Sequence, residues 1–80
     1  MRVPRDLSGD ALAARLDRLG YRVSRQSGSH LRLTTALNGE HHITIPRHAA
    51  LRVGTLAAIL AELERHHHLE RQQVLALLLP

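Results

Sequence analysis

A chain of 80 residues makes one domain, and a domain of that size buries only about 60% of the surface its unfolded chain exposes, so its core is thin. With 44% apolar residues, Tyr21 as the one aromatic and no Cys, disulfides and thiolate metal sites are excluded, and Leu, Ile, Val and Ala must carry the core. The net charge of +4 comes from residues 20–54, where Arg22, Arg25, Arg32, Arg47 and Arg52 stand against a single acid, Glu40. All eleven basic residues are Arg, whose planar fork suits bidentate contacts to phosphate. Such a basic stripe is the footprint of a nucleic-acid binder, although an ordinary solvated surface would carry the same charges. No run approaches the ~20 apolar residues of a membrane span. The segment Met1-Arg2-Val3-Pro4-Arg5 also lacks the apolar run of a secretory signal, so a cytoplasmic protein is expected.

Leu7-Ser8 followed by Leu12, Leu16 and Leu19 predicts a helix starting near Ser8, with Ser8 as N-cap, a staple between Leu7 and Leu12, and one apolar stripe. Gly20 stands where a left-handed C-cap is needed, and Tyr21 can fold back onto Leu16. From Tyr21 the period becomes two. Tyr21 and Val23 alternate with Arg22 and Ser24, Leu31 and Leu33 with His30, Arg32 and Thr34, and Ile43 and Ile45 with His42 and Thr44, which predicts an antiparallel meander of three strands. Three-residue loops, Gln26-Ser27-Gly28 and Leu37-Asn38-Gly39, would put glycine at the third position, where that hairpin needs a left-handed residue.

The resulting register sets Val23 across from Leu31, Leu33 from Ile43 and Leu31 from Ile45 on the core face. On the other face it sets Ser24 across from His30, and Arg32 from both Arg22 and Thr44. Pro46 can end strand 3 because that strand is an edge. A second helix opening at Gly54-Thr55 carries the stripe Leu56, Ile59, Leu60 and Leu63. The stripe lapses over residues 64–73 and resumes with Val74, Leu75 and Leu77 to Leu79. This predicts a break near His68 and a short third helix, with one long helix as the alternative. The fold class is α+β: α-β-β-β-α, a three-stranded antiparallel sheet with helices on one face, plus a short C-terminal helix.

The face left open by the helices then presents Arg22, Ser24, His30, Arg32, Thr34, His42 and Thr44, with no carboxylate. Two-metal nucleases and most hydrolytic metal sites hold their ions with acidic ligands, so this face points away from them. RNA offers a metal-free route, because its 2′-hydroxyl, once deprotonated, can attack the neighbouring phosphorus. An imidazole suits that proton transfer near neutral pH, and Arg can stabilise the charge gathering on phosphate. His30, at the start of the central strand beside the Gly28 turn, is the candidate, with Ser24 opposite to orient its ring. His48 is a second proton carrier or phosphate contact, whereas His42 lies roughly 13 Å along the sheet. The bland account of these histidines is an exposed sheet face with no partner. His66-His67-His68 cannot converge on one ion, since neighbouring helical positions point about 100° apart. A surface-exposed helix end at the negative pole of the dipole is expected there instead. His41 and His42 point to opposite faces, the first half buried.

Arg25-Gln26-Ser27-Gly28-Ser29-His30, then Ile43-Thr44-Ile45-Pro46-Arg47-His48, then Val53-Gly54-Thr55-Leu56 with Ile59-Leu60, closely resemble the HicA toxin family in residue type and order. Leu7-Ser8-Gly9 and Leu19-Gly20-Tyr21 fit its usual start. The resemblance implies a double-stranded-RNA-binding-like (dsRBD-like) fold, an mRNA-cleaving endoribonuclease activity that arrests translation, and a paired HicB antitoxin masking the site. The family's catalytic His, in its Gly-Ser-His motif, falls on His30. The expected RNA contacts around it are Arg22, Ser24, Gly28, Ser29, Arg32, Arg47 and His48, with no metal and no cofactor. The chain departs from the family in being Arg-only, in a strand 2 to strand 3 loop poor in basic residues, and in the His66 to His68 run. Two competing readings are a non-catalytic RNA-binding module on the same fold and a protein that docks through its apolar tail, Val74 to Leu79.

Overall fold

The computed structural model describes residues 6–79, so the Met1–Arg5 segment read above for an export signal lies outside the described residues. The chain forms α1 (Gly9–Arg15), which tightens into a 3-10 turn over Leu16–Leu19, then β1 (Arg22–Ser27), β2 (His30–Thr35) and β3 (His41–Pro46). It ends in α2 (Val53–His67) and α3 (Arg71–Leu78). The sheet is antiparallel in the order β1-β2-β3, so the expected α+β architecture, with its short C-terminal helix, is present. Among the described residues no helix is long and apolar enough to cross a membrane.

The start of α1 follows from its sequence. Ser8 Oγ accepts the Ala11 N–H at 3.0 Å, and Leu7 and Leu12 on either side of the cap enter the same core. Its end is a Schellman motif: Gly20 is left-handed (φ 79°), its N–H donates to Asp17 O at 2.9 Å, and the Tyr21 N–H donates to Leu16 O at 3.2 Å. Gly9 lets α1 lie directly on the end of β3, since a Cβ there would stand 2.0 Å from the Pro46 carbonyl oxygen. Its N–H donates to His48 O at 2.9 Å, tying the segment after β3 to the helix.

The β2–β3 register is as expected, with His30 paired to Pro46, Leu31 to Ile45, Arg32 to Thr44 and Leu33 to Ile43. The connection spans residues 36–40, with Asn38 (φ 59°) and Gly39 (φ 99°) in left-handed conformations. The β1–β2 register differs from expectation. Gly28-Ser29 forms a two-residue turn with Gly28 first (φ 57°), and Ser27 pairs with His30, Gln26 with Leu31 and Arg25 with Arg32. Ser24 is then bulged, and Val23 pairs with Leu33 and Arg22 with Thr34. The odd residue that face matching demands sits in the bulge rather than in the loop. Ser24 is therefore not across from His30, nor Arg22 from Arg32. Val23, expected in the core, is 53% exposed, because β1 lies beyond the reach of the helices and is exposed along its whole length.

In α2 the stripe Leu56, Ile59, Leu60 and Leu63 is buried as predicted, but the helix opens one residue earlier, with Arg52 as its cap residue. It closes at His68, which takes the left-handed cap position (φ 55°). A capping box between Glu70 and Gln73 starts α3, whose Val74, Leu75 and Leu78 are buried in the common core. The apolar tail is thus spent on the protein's own interior, which corrects the reading of it as a docking tail. His67 corrects another expectation: it is 6% exposed, so the end of α2 is not wholly on the surface.

Candidate nucleic-acid interface

Strand alternation on β2 places His30 and Arg32 on the face away from the helices, and the two neighbouring strands complete a groove around them. Ser27 stands opposite His30 and Arg25 opposite Arg32 from β1, and Thr44 stands opposite Arg32 from β3. These five residues, all exposed, line a groove of about 320 Å³, at the small end of ligand-site volumes. His30 is the first residue after the Gly28-Ser29 turn and is exposed. Among the described residues, none of the side chains of Arg25, Ser27, His30 and Arg32 makes a hydrogen bond or ion pair with another protein group.

Ser24, Arg22 and His42 gather instead at the far end of the face. Ser24 Oγ lies 2.8 Å from Thr34 Oγ1 and donates to Arg32 O at 3.2 Å, which pins the bulge. Thr34 Oγ1 lies 2.8 Å from His42 Nδ1, and His42 Nε2 lies 3.0 Å from Glu40 Oε2. Ser24 accordingly cannot orient the His30 ring. Glu40 also corrects the expectation of a face without carboxylates, because the loop 36–40 returns it beside His42. That carboxylate belongs to the His42 end, four residues along β2 from His30 or roughly 13 Å away. The groove itself contains none.

Arg47 and His48 follow β3 past the turn. The Arg47 N–H donates to Ser29 O at 2.6 Å, bringing this segment to the His30 end of the sheet, and His48 is exposed there. The Arg47 guanidinium, expected on RNA, is turned to Asp10, donating from Nε to Oδ1 at 2.8 Å and from Nη2 to Oδ2 at 3.1 Å. That pairing holds the Asp10 carboxyl below the usual carboxylate range and raises the guanidinium in return.

A larger hollow, about 670 Å³, opens between the β2–β3 loop and the end of α2, lined in part by His41, Glu62, His66 and His68. Beside it runs a polar chain that is buried at Tyr21 and His67 and reaches the surface at Asn38 and Glu62. Tyr21 OH lies 2.7 Å from His41 Nδ1 and 2.9 Å from His67 Nε2, Asn38 Nδ2 lies 3.0 Å from His67 Nδ1, and His41 Nε2 lies 3.0 Å from Glu62 Oε2. With both rings neutral every bond is satisfied in one direction: Asn38 donates to His67, His67 to Tyr21, Tyr21 to His41 and His41 to Glu62. Burial first, then the neighbouring His66, His41 and His68, hold the His67 pKa down, while burial and Glu62 push the Tyr21 phenol up to about 12. His41 and His66 stack with ring centroids 4.3 Å apart, which keeps their nitrogens from converging. Among the described residues no group of His, Asp or Glu is placed to hold a metal ion.

Reading by strand alternation missed Arg25 and Ser27, and reading of the helix end missed His67. The signal for His67 was present, since it extends the stripe Leu56, Leu60 and Leu63 by one more helical turn.

A sequence profile described as the HicA toxin of bacterial toxin-antitoxin systems matches residues 9–64, from the first residue of α1 into the last part of α2, and so includes the whole sheet and the His30 turn. No curated protein and no solved structure matches the chain.

Proposed function

The chain belongs to the HicA family of toxins of bacterial toxin-antitoxin systems, and on that premise we propose that it is a metal-independent endoribonuclease that cuts mRNA on its open sheet face. The observation that carries this reading is the groove in which His30 shares an acid-free wall with Arg25 and Arg32. His30 takes the proton from a 2′-hydroxyl, the freed oxygen attacks the adjacent phosphorus, and the 5′ oxygen leaves with a proton from solvent or from His48. The products are a 2′,3′-cyclic phosphate and a 5′-hydroxyl end. Arg32 meets the charge that accumulates on the phosphoryl oxygens, and the Gly28-Ser29 turn lets the RNA backbone approach closely. Arg22 and Ser24, at the far end of the face, contact the strand further along. Arg47 braces the turn through Asp10 and Ser29. A HicB-type antitoxin silences the enzyme in the cytoplasm by covering this face.

One observation favours a second reading, a binding module without catalysis: no protein group among the described residues bonds to the His30 ring to fix its tautomer. Cleavage of a labelled single-stranded RNA in excess EDTA separates the two. Cutting by the wild type that disappears in His30→Ala supports the ribonuclease. Equal cutting by both, or none by folded wild type, overturns it in favour of the binding module.

A further inference from the structure

Arg25 and Arg32 stand directly opposite one another on neighbouring strands, both exposed, both lining the His30 groove, and neither meets a carboxylate among the described residues. Other arginines are used differently: Arg47, Arg65 and Arg71 pair with Asp10, Glu62 and Glu64, and Arg18 donates to the Leu77 carbonyl. Like charges directly opposite on a ladder repel, so this pair is unfavourable in the protein alone. It arises only because the bulge at Ser24 turns Arg25 onto the open face. By plain alternation from Arg22, residue 25 would face the helices. Two planar forks that rise from strands roughly 5 Å apart can each take one non-bridging oxygen of the same phosphodiester.

We propose that Arg25 and Arg32 form a two-guanidinium clamp that seats one phosphodiester of a single RNA strand beside His30. Arg25 supplies the half of the clamp that the bulge creates. Ser27 and Thr44, the groove's two hydroxyl residues, stand on either side within reach of the flanking sugar. The clamp rests on the reading of this face as an RNA site, but it concerns binding and not the proton transfer.

The test is binding of a short labelled single-stranded RNA to protein carrying His30→Ala, so that no cleavage intervenes, across a series of salt concentrations. On that background Arg25→Gln should weaken binding about tenfold at low salt and make the slope of log affinity against log salt shallower by about 0.7, the value for one phosphate contact on a single strand. Arg25→Lys should restore the slope, since it returns the charge. Arg15→Gln, on α1 behind the sheet, removes the same charge elsewhere and should change neither quantity appreciably. A response to Arg25→Gln no larger than that to Arg15→Gln overturns the clamp. If wild type cuts no RNA while Arg25→Gln still loses the contact, the ribonuclease reading fails and the clamp stands.

Discussion

His67 occupies a core position of α2 by virtue of its spacing, and the core accepts it only as a neutral ring. Its Nδ1 must remain bare to take the Asn38 amide hydrogen, and its surroundings add the imidazoles of His41, His66 and His68 to the cost of burial. Glu62, the carboxylate of this polar chain, is bonded to His41 and Arg65 and not to His67. The sign of the consequence follows from linkage. The folded ring has a pKa below the ordinary 6.5, so as pH falls beneath that value the unfolded chain takes up a proton that the folded ring refuses. The stability tied to His67 is complete above pH 6.5 and is lost progressively as pH falls toward the folded value. Urea denaturation at pH 7.5 and pH 5.5 should show a larger loss for wild type than for His67→Gln, whose amide can still bond Tyr21 without titrating. Equal losses would mean that the acid sensitivity lies in other histidines.

At the scale of elements, α3 lies beyond the residues matched by the family profile, yet it supplies Val74, Leu75 and Leu78 to the same core as α1, β2, β3 and α2. Leu78 is 1% exposed, and its truncation leaves a cavity that so small a domain has little means to refill. Leu78→Ala should cost about 2–5 kcal/mol, a large part of the roughly 5–15 kcal/mol that holds a domain folded. Gln72→Ala on the exposed side of α3 should fall within about 0.5 kcal/mol of wild type. Matching urea midpoints for Leu78→Ala and wild type would show that α3 is an appendage and not part of the folding unit. What could be read from the sequence divides along the same elements. Ser8, Gly20 and the α2 stripe specify their structures through local chemistry, and β2–β3 pairs as expected because the odd connection preserves the face of Ile43 and Ile45. Gly28, in contrast, satisfies two hairpins equally, as the third residue of a three-residue loop or the first of a two-residue turn. The choice between them moves β1 by several positions. His30 and Arg32 were therefore legible from the central strand alone. Arg25 and Ser27 were not, because only the bulge at Ser24 brings them to the open face, and the same shift removed Ser24 from the side of His30.

Across the whole molecule, β2 and β3 each bury the face that the helices cover, and β1 buries none. Leu31, Leu33, Ile43 and Ile45 are at most 7% exposed, while all six residues of β1 are exposed and the strand borders β2 alone. Two of the groove's five residues thus belong to the strand held most weakly, where binding can order what folding leaves loose. Amide exchange should be slowest in β2 and the middle of α2 and fastest in β1, with β3 between them. Protection of β1 equal to that of β3 in the isolated protein would mean that its outer edge is covered in solution.

Tyr21 joins the end of α1, the edge of β3 and the last turn of α2 through its hydroxyl and ring, and it is the chain's one aromatic residue. The protein therefore carries a single native chromophore, planted at the junction of three elements. Near-ultraviolet dichroism and tyrosine emission report on that junction and nothing else, so undocking of α2 from the sheet is visible without a label. The His30 groove, built from Arg, His, Ser and Thr, stays optically silent.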